Sequence, residues 1–333
     1  MNDVTSDSSK LRRRLLAADV SRLPPEMHAW RTAIEIETAR AAVLDEQLDW
    51  CTNRIVAVER ASHHRAGLPC DFQNRLVQIG DGVLLCGIRH EGMDPRLPFV
   101  EMIAWDDALL ETGPALAAAA ECGMHAFARF DPRRVRMLRA GLDAPELARG
   151  WHAEIDQVLI AAPLGDVASE AAAVELAEAS IDDALEFQAD CYDAFGDRDP
   201  SLCADVRPSD RAEFEDCARD GAVLFWRLPG QPSPPAGLLA VQRIDWQGLD
   251  GWLVVEECVA GWAAGRGTAA AAQRALARRL VDRDAANAAL PLFGTIAGRN
   301  TPSRRTAANA GRRELAAWWF VGREDDAARR TGG

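Results

Sequence analysis

The segment Trp252-Leu-Val-Val-Glu-Glu-Cys-Val-Ala-Gly-Trp-Ala-Ala-Gly-Arg-Gly267-Thr-Ala-Ala-Ala-Ala-Gln-Arg-Ala-Leu276 decides the fold. Residues 252–259 are rich in β-branched and apolar side chains and read as a buried strand. Residues 261–267 form a glycine loop, and the alanine-rich stretch 268–281 reads as a helix. A loop that opens a helix in this way aims consecutive backbone N–H groups outward from the positive end of the helix dipole, where phosphate or pyrophosphate can bind. Gly265 and Gly267 let the backbone approach an anion without a Cβ in the way. The same order also serves a plain strand-to-helix turn. No Gly-Lys-Ser/Thr follows, so this is not a Walker loop, and the GxGxxG dinucleotide spacing fails.

Outward from this segment, residues 168–194 and 207–219 read as helices, and 222–228 and 238–245 as strands. The stretch 229–235, Pro-Gly-Gln-Pro-Ser-Pro-Pro, is an exposed loop of turn formers. Downstream, 292–297 reads as a strand, 302–309 as a short helix and 316–321 as a last strand. The first half repeats the order. Residues 26–65 are helical, and strands at 75–80 and 83–88 are joined by the hairpin turn Gly80-Asp-Gly82. A strand at 99–105, a helix at 108–121, a strand at 125–130, a short basic helix at 132–139 and a strand at 151–162 follow. The repeated order reads as a diverged duplication, and Asp131-Pro-Arg-Arg is echoed by Thr301-Pro-Ser-Arg-Arg.

Composition bounds the function. At roughly 150 residues per domain, 333 residues suggest two domains. Lys and Arg number 38 against 51 Asp and Glu, a net charge of −13, which disfavours wrapping nucleic acid and leans toward cationic substrates. No run approaches the roughly 18 apolar residues of a membrane span, and the polar, then basic, start has no secretory h-region. The eight cysteines form no CxxC pair, and all six histidines precede residue 153, so neither a disulfide nor a metal site is expected. The expected compartment is the cytoplasm, and either a monomer or a homodimer is expected.

A second segment sharpens the reading: Phe293-Gly-Thr-Ile-Ala-Gly-Arg-Asn300-Thr-Pro-Ser303-Arg-Arg-Thr-Ala-Ala-Asn-Ala-Gly311-Arg. Together the two segments resemble the GNAT superfamily of acyl-CoA-dependent N-acyltransferases. That family's loop reads Arg/Gln-x-x-Gly-x-Gly/Ala, matched here by Trp262-Ala-Ala-Gly265-Arg-Gly267 with Trp262 in the leading place. Its later pattern, Asn-x-x-Ser-x-x-Leu-Tyr-x-x-x-Gly-Phe, is matched by Asn300, Ser303 and Gly311, while Thr306, Ala307 and Arg312 depart from it. The resemblance implies an α/β (α+β) fold of two GNAT-like domains, each a mixed, mostly antiparallel sheet flanked by helices. The expected layout is a disordered or extended tail at 1–25, a degenerate domain at 26–164, an acyltransferase domain at 165–322 and a frayed tail at 323–333. In the first half the stretch Trp105-Asp-Asp-Ala-Leu-Leu-Glu-Thr-Gly-Pro114 stands where the glycine loop would be, and its acids would repel phosphate.

The resemblance further implies acetyl-CoA or another acyl-CoA as co-substrate, with the pantetheine arm between the strands 252–259 and 292–297. Backbone N–H groups near Cys258 and Val259 would polarise the thioester carbonyl. Those of Gly265, Arg266, Gly267 and Thr268 would hold the pyrophosphate, and Asn300 and Ser303 would contact CoA. Arg304 or Arg305 either approaches the adenosine phosphates or forms an exposed basic face. Glu256 and Glu257 are the candidate general bases, and at most one faces a given cleft because adjacent strand residues point to opposite sides. The family's general-acid tyrosine falls on Ala307, and the chain's single tyrosine is Tyr192. Cys258 reads as a buried thiol rather than a nucleophile, and Trp226, Trp246 and Trp252 as core or as the wall of an acyl or acceptor pocket. The acceptor would be an amine of a small molecule or peptide. Acyl transfer to a carrier-protein thiol, decarboxylation of a malonyl thioester, and a non-catalytic CoA-binding module are the alternatives.

Overall fold

Helix formation begins inside the stretch expected to be a tail. In the computed structural model, which describes residues 4–64, 67–168, 173–203, 206–231, 234–246 and 249–324, helix α1 spans Val4–Ser21. Its Leu15 and Leu16 are buried with Leu44, Leu85 and Ala104, which supplies the apolar seat that a tail would lack. Residues 1–3 and 325–333 of the expected tails lie outside the described residues. Helices α2 (Pro25–Trp30), α3 (Ala33–Asp49) and α4 (Arg54–His64) follow. Thr32 and Glu35 cap α3 reciprocally. The buried Arg40 of α3 pairs with Asp19 of α1 at 2.6 Å.

Strands β1 (Arg75–Ile79) and β2 (Gly82–His90) form the expected hairpin, turning at Gly80 with φ +56°. Strand β3 (Pro98–Trp105), helix α5 (Gly113–Ala126), strand β4 (Arg134–Ala140) and strand β5 (Trp151–Pro163) complete the first half. Two expectations are corrected here. The strand expected at 125–130 is the last turn of α5 and a 3-10 turn at Ala128–Phe130, and the helix expected at 132–139 is β4. In β4 alternation outweighs the helix-like composition. Val135 and Met137 enter the core, while Arg134 and Arg136 point to the other face. There Arg134 meets Glu91 and Glu154, and Arg136 meets Glu101 and Asp156.

The second half runs through α6 (Leu164–Val167), β6 (Glu175–Glu178), α7 (Ile181–Arg198), α8 (Pro200–Cys203) and α9 (Arg211–Asp220). Strand β6 lies inside a stretch expected to be helical. Then come β7 (Gly221–Arg227), β8 (Gly237–Trp246), β9 (Leu249–Val259), α10 (Thr268–Arg283), β10 (Pro291–Ala297), α11 (Thr301–Asn309) and β11 (Arg313–Arg323). Alternation splits the strands between two cores. Leu224, Trp226, Leu239 and Val241 pack with α10 on one face. Val223, Phe225, Leu238 and Ala240 pack with α7 and α9 on the other.

The chain divides into two compact units, Met1–Asp156 with Ala316–Gly333, and Gln157–Leu315. The sequence boundary at 164/165 is therefore displaced, because the halves exchange their final strands. β11 pairs antiparallel with β4, and residues 157–163 of β5 pair antiparallel with β10. Each exchange covers a strand edge that would otherwise present unpaired N–H and C=O groups. Each unit is a mixed, mostly antiparallel sheet flanked by helices, the fold class expected. In both, a bulge breaks the antiparallel ladder before a parallel pair, at Leu85/Cys86 and at Ala240/Val241. The parallel pairs are β3 with β4 and β9 with β10, each in register over only two residue pairs. Among the described residues no helix is long and apolar enough to cross a membrane.

Gly237 of β8 is required by a neighbour. A Cβ there would lie 2.0 Å from the indole of Trp226, which is fully buried. Gly237→Ala should therefore destabilise by about 1–3 kcal/mol through overpacking, read as a lowered Tm. Gly261→Ala, whose Cβ would meet nothing within 4 Å, should shift stability by less than about 0.5 kcal/mol.

Candidate functional site

β9 and β10 are closest at their bases and open into a wedge. Gly251 allows the approach, since a Cβ there would lie 2.4 Å from the Pro291 carbonyl oxygen. The parallel register holds at Trp252 with Leu292 and at Leu253 with Phe293. On the other edge of β9, Ala260 N–H donates to Ala236 C=O at 3.0 Å. Backbone N–H direction alternates along an extended strand, so the N–H of Cys258 faces β8 and those of Glu257 and Val259 face the wedge. Of the two N–H groups expected at a thioester carbonyl, only that of Val259 lies on the open edge.

Beyond β9 the chain reaches the glycine loop. Gly265 and Gly267 sit at φ +75° and +71°, the left-handed region, and a Cβ at either would meet nothing within 4 Å. Gly267 is the N-cap of α10 and offers no capping side chain. The backbone bond from Ala271 N–H to Gly267 C=O, 3.2 Å, opens the helix, so the N–H groups before it have no intrahelical acceptor. Thr268 is buried, and among the described residues its hydroxyl has no partner. Buried Ala269, Ala270, Ala271 and Ala272 seat this turn close to the sheet. Arg266 is exposed and leans toward the exposed Trp262 ring, 5.9 Å from its centroid.

Glu256 and Glu257 face opposite layers. Glu256, 5% exposed, points to the α7/α9 side. Its Oε2 accepts from Gln188 Nε2 at 2.5 Å and from Ser209 N–H at 3.1 Å, and its Oε1 from Glu257 N–H at 3.1 Å. The Tyr192 hydroxyl lies 3.4 Å from Oε1. Burial raises the Glu256 carboxyl above the usual range against the pull of these donors. Burial and the Glu256 charge together keep the Tyr192 phenol protonated. Tyr192 is the site residue that the sequence reading set aside. The available signal was its spacing, since Gln188 and Tyr192 stand at i and i+4 on one helix face. Glu257 points to the α10 side, where the fully buried Gln273 donates Nε2 to both of its oxygens at 2.9 and 2.8 Å. Burial raises this carboxyl too, opposed by Arg312.

The other sequence candidates take varied places. The Cys258 thiol is held up, and so protonated, by a hydrogen bond with Cys191 and by burial. Asn300 caps α11, accepting Ser303 N–H at 3.1 Å, and Ser303 is half-buried. Arg304 is committed to Glu314 at 2.6 Å and to Gly298 C=O at 2.7 Å, while Arg305 is exposed. Ala307 is fully buried. Trp226 and Trp252 are core residues. The side chain of Trp246 lies outside the described residues.

The first unit lacks this arrangement. Thr112 caps α5, and a Cβ on Gly113 would lie 2.5 Å from the Leu147 backbone, so chain already covers that helix start. At its parallel pair, Arg136 Nε meets Glu101 at 2.6 Å and Nη1 meets Asp156 at 2.9 Å. Among the described residues, no group of three or more His, Cys, Asp and Glu side chains could hold a metal ion.

No family model matches the chain, and no curated protein matches it. Solved structures similar to it include a GCN5-related N-acetyltransferase from Kribbella flavida, 19% identical over 82% of this chain and 96% of that one, TM-score 0.43. A GNAT-family acetyltransferase from Colwellia psychrerythraea is 9% identical over 81% and 96%, TM-score 0.46. A tandem GNAT protein from the clavulanic acid biosynthesis pathway is 14% identical over 82% and 89%, TM-score 0.41.

Gln273→Leu would strip Glu257 of its side-chain donor and cost about 1–3 kcal/mol. A carboxyl raised in the folded state contributes stability below its unfolded value and loses it as pH rises through the folded value. The variant raises Glu257 further, so its loss of Tm against wild type should widen as pH rises above the unfolded glutamate value of about 4.3.

Proposed function

We propose that the second unit binds acyl-CoA and transfers the acyl group to an amine of a small molecule or peptide, as a GNAT-type N-acyltransferase. On this reading the first unit is a degenerate copy without a pyrophosphate site. The observation that carries it is the pair Gly265 and Gly267, both left-handed and open in front, capping α10 beyond the wedge between two parallel strands. The loop N–H groups from Gly265 to Thr268, with the unpartnered Thr268 hydroxyl, suit a pyrophosphate. CoA would supply the acyl group as an activated thioester.

The chain's own residues then divide the work. Val259 N–H, on the open edge of β9, suits an oxyanion donor. Glu256 is the base in this reading, because it lies on the α7/α9 side within reach of the Tyr192 hydroxyl, while Glu257 lies on the α10 side against Gln273. The half-buried Tyr192 hydroxyl reaches between the surface and Glu256. It can pass the proton of an attacking amine inward to that carboxylate as the amine nitrogen bonds to the acyl carbon and the thiolate leaves. A raised pKa suits a base that must accept a proton near neutrality. The net charge of −13 accords with a cationic amine as acceptor.

Gly267→Glu places a negative side chain on a left-handed residue at the loop. Calorimetric titration should show that wild type binds CoA and acetyl-CoA and that this variant binds neither. Absence of binding by wild type overturns the reading. Glu256→Gln should lower kcat by about 10²–10⁴-fold with KM for acyl-CoA unchanged. The wild-type rate should rise with pH through the raised Glu256 value, and the variant should lose that limb. Tight CoA binding with no thiol released across a panel of primary amines would instead favour a non-catalytic module.

A further inference from the structure

Arg312 stands where the resemblance expects phenylalanine, and its buried charge lies in the field of Glu257 without a hydrogen bond to any described residue. It is 4% exposed. Its Nε and Nη1 are buried without partners, and among the described residues its guanidinium makes no hydrogen bond or ion pair. A guanidinium taken out of water with its Nε and Nη1 donors unsatisfied is expensive, and proteins retain such a group where something else completes it. Burial pushes its pKa down to about 10, with the charge of Glu257 opposing. The place of the guanidinium is specific. Nη1 lies 3.6 Å from the Cβ position of Gly294, the first residue of β10 past the parallel register, and Val254 C=O of β9 lies 3.5 Å from the same point. The group therefore sits at the closed end of the wedge, in space that a side chain on residue 294 would share. Glu257 on β9 is the acid whose field it feels. That carboxylate takes both of its hydrogen bonds from Gln273 and leaves the Arg312 donors free.

We propose that Arg312 binds the terminal carboxylate of a dicarboxylic acyl chain, so that the preferred donor is a malonyl-, succinyl- or glutaryl-type thioester rather than acetyl-CoA. The inference rests on the acyl-CoA reading above and names the acyl class. A chain entering from the glycine loop along the open edge of β9 runs toward Gly294, and its far end meets the guanidinium. Arginine suits this end of the chain because its planar donors match a carboxylate, and charge-assisted bonds are the strong ones. A neutral acyl group would leave the donors as they are.

The test is calorimetric titration of the full chain with CoA, acetyl-CoA, butyryl-CoA, malonyl-CoA, succinyl-CoA and glutaryl-CoA. At least one dicarboxylic thioester should bind about 10- to 100-fold tighter than the neutral thioesters. Arg312→Met should erase that preference while leaving free CoA binding unchanged, and Arg312→Lys should keep part of it. Gly294→Val, which crowds the guanidinium without removing it, should also weaken the preference. CoA binding by wild type with no preference for the acidic chains overturns this inference alone. An equal loss for all six ligands in Arg312→Met overturns it too, since Arg312 would then hold the pantetheine arm. Binding of none of the six by wild type overturns both readings. If Arg312→Met does not fold, the wild-type series by itself decides.

Discussion

The second unit depends on how briefly β9 and β10 pair. Two parallel residue pairs tie them at the base, where Gly251 lets the strands close on Pro291. Past that point each strand keeps its outer partner, β8 or β5, and releases the inner one. An open inner edge exposes N–H and C=O groups that a folded chain normally satisfies. Helix α10, seated close by its buried alanines, then brings a second set of unsatisfied N–H groups beside the first. Two sets of backbone donors and a passage between strands follow from one interrupted ladder.

The ionisable groups around the wedge are buried, and each carries a desolvation cost. Glu256 offsets its cost with Gln188, Ser209 and a backbone N–H, and Glu257 offsets its own with Gln273. Among the described residues Arg312 has the field of Glu257 but no hydrogen-bonded partner, which sets it apart from Arg40, Arg134 and Arg136, whose partners are in place. Stability alone would favour an apolar residue at 312. Sites that bind a ligand commonly hold groups that are satisfied only in the complex.

The first unit shows the same ladder with its opening filled. Arg136, Glu101 and Asp156 meet at its parallel pair, and the start of α5 lies under the Leu147 segment. The same backbone topology is thus closed by side chains in one unit and left open in the other. At the second residue pair of the parallel register the first unit has Glu101 and Arg136, and the second unit has Leu253 and Phe293.

Much of this was legible locally. The strand, loop and helix around Gly265 and Gly267 follow from backbone freedom and periodicity, as does the hairpin at Gly80, because φ preference and side-chain alternation are properties of neighbours in the chain. Alternation also required Glu256 and Glu257 to face opposite sides. Other features were not local. β4 looked helical because its arginines find their acids on β3, β5 and the turn after β2, far away in sequence. α1 looked like a tail because the seat for its leucines is built by α3, β2 and β3. By itself, then, the sequence determined the strand, loop and helix around the glycines, the first hairpin and the opposed glutamates. Only the tertiary structure decided that the last strands change places, that Tyr192 meets Glu256 and that Arg312 is buried without a hydrogen-bond partner among the described residues. The partner of a strand edge and the surroundings of a side chain are settled by long-range contacts, which no window of neighbouring residues contains.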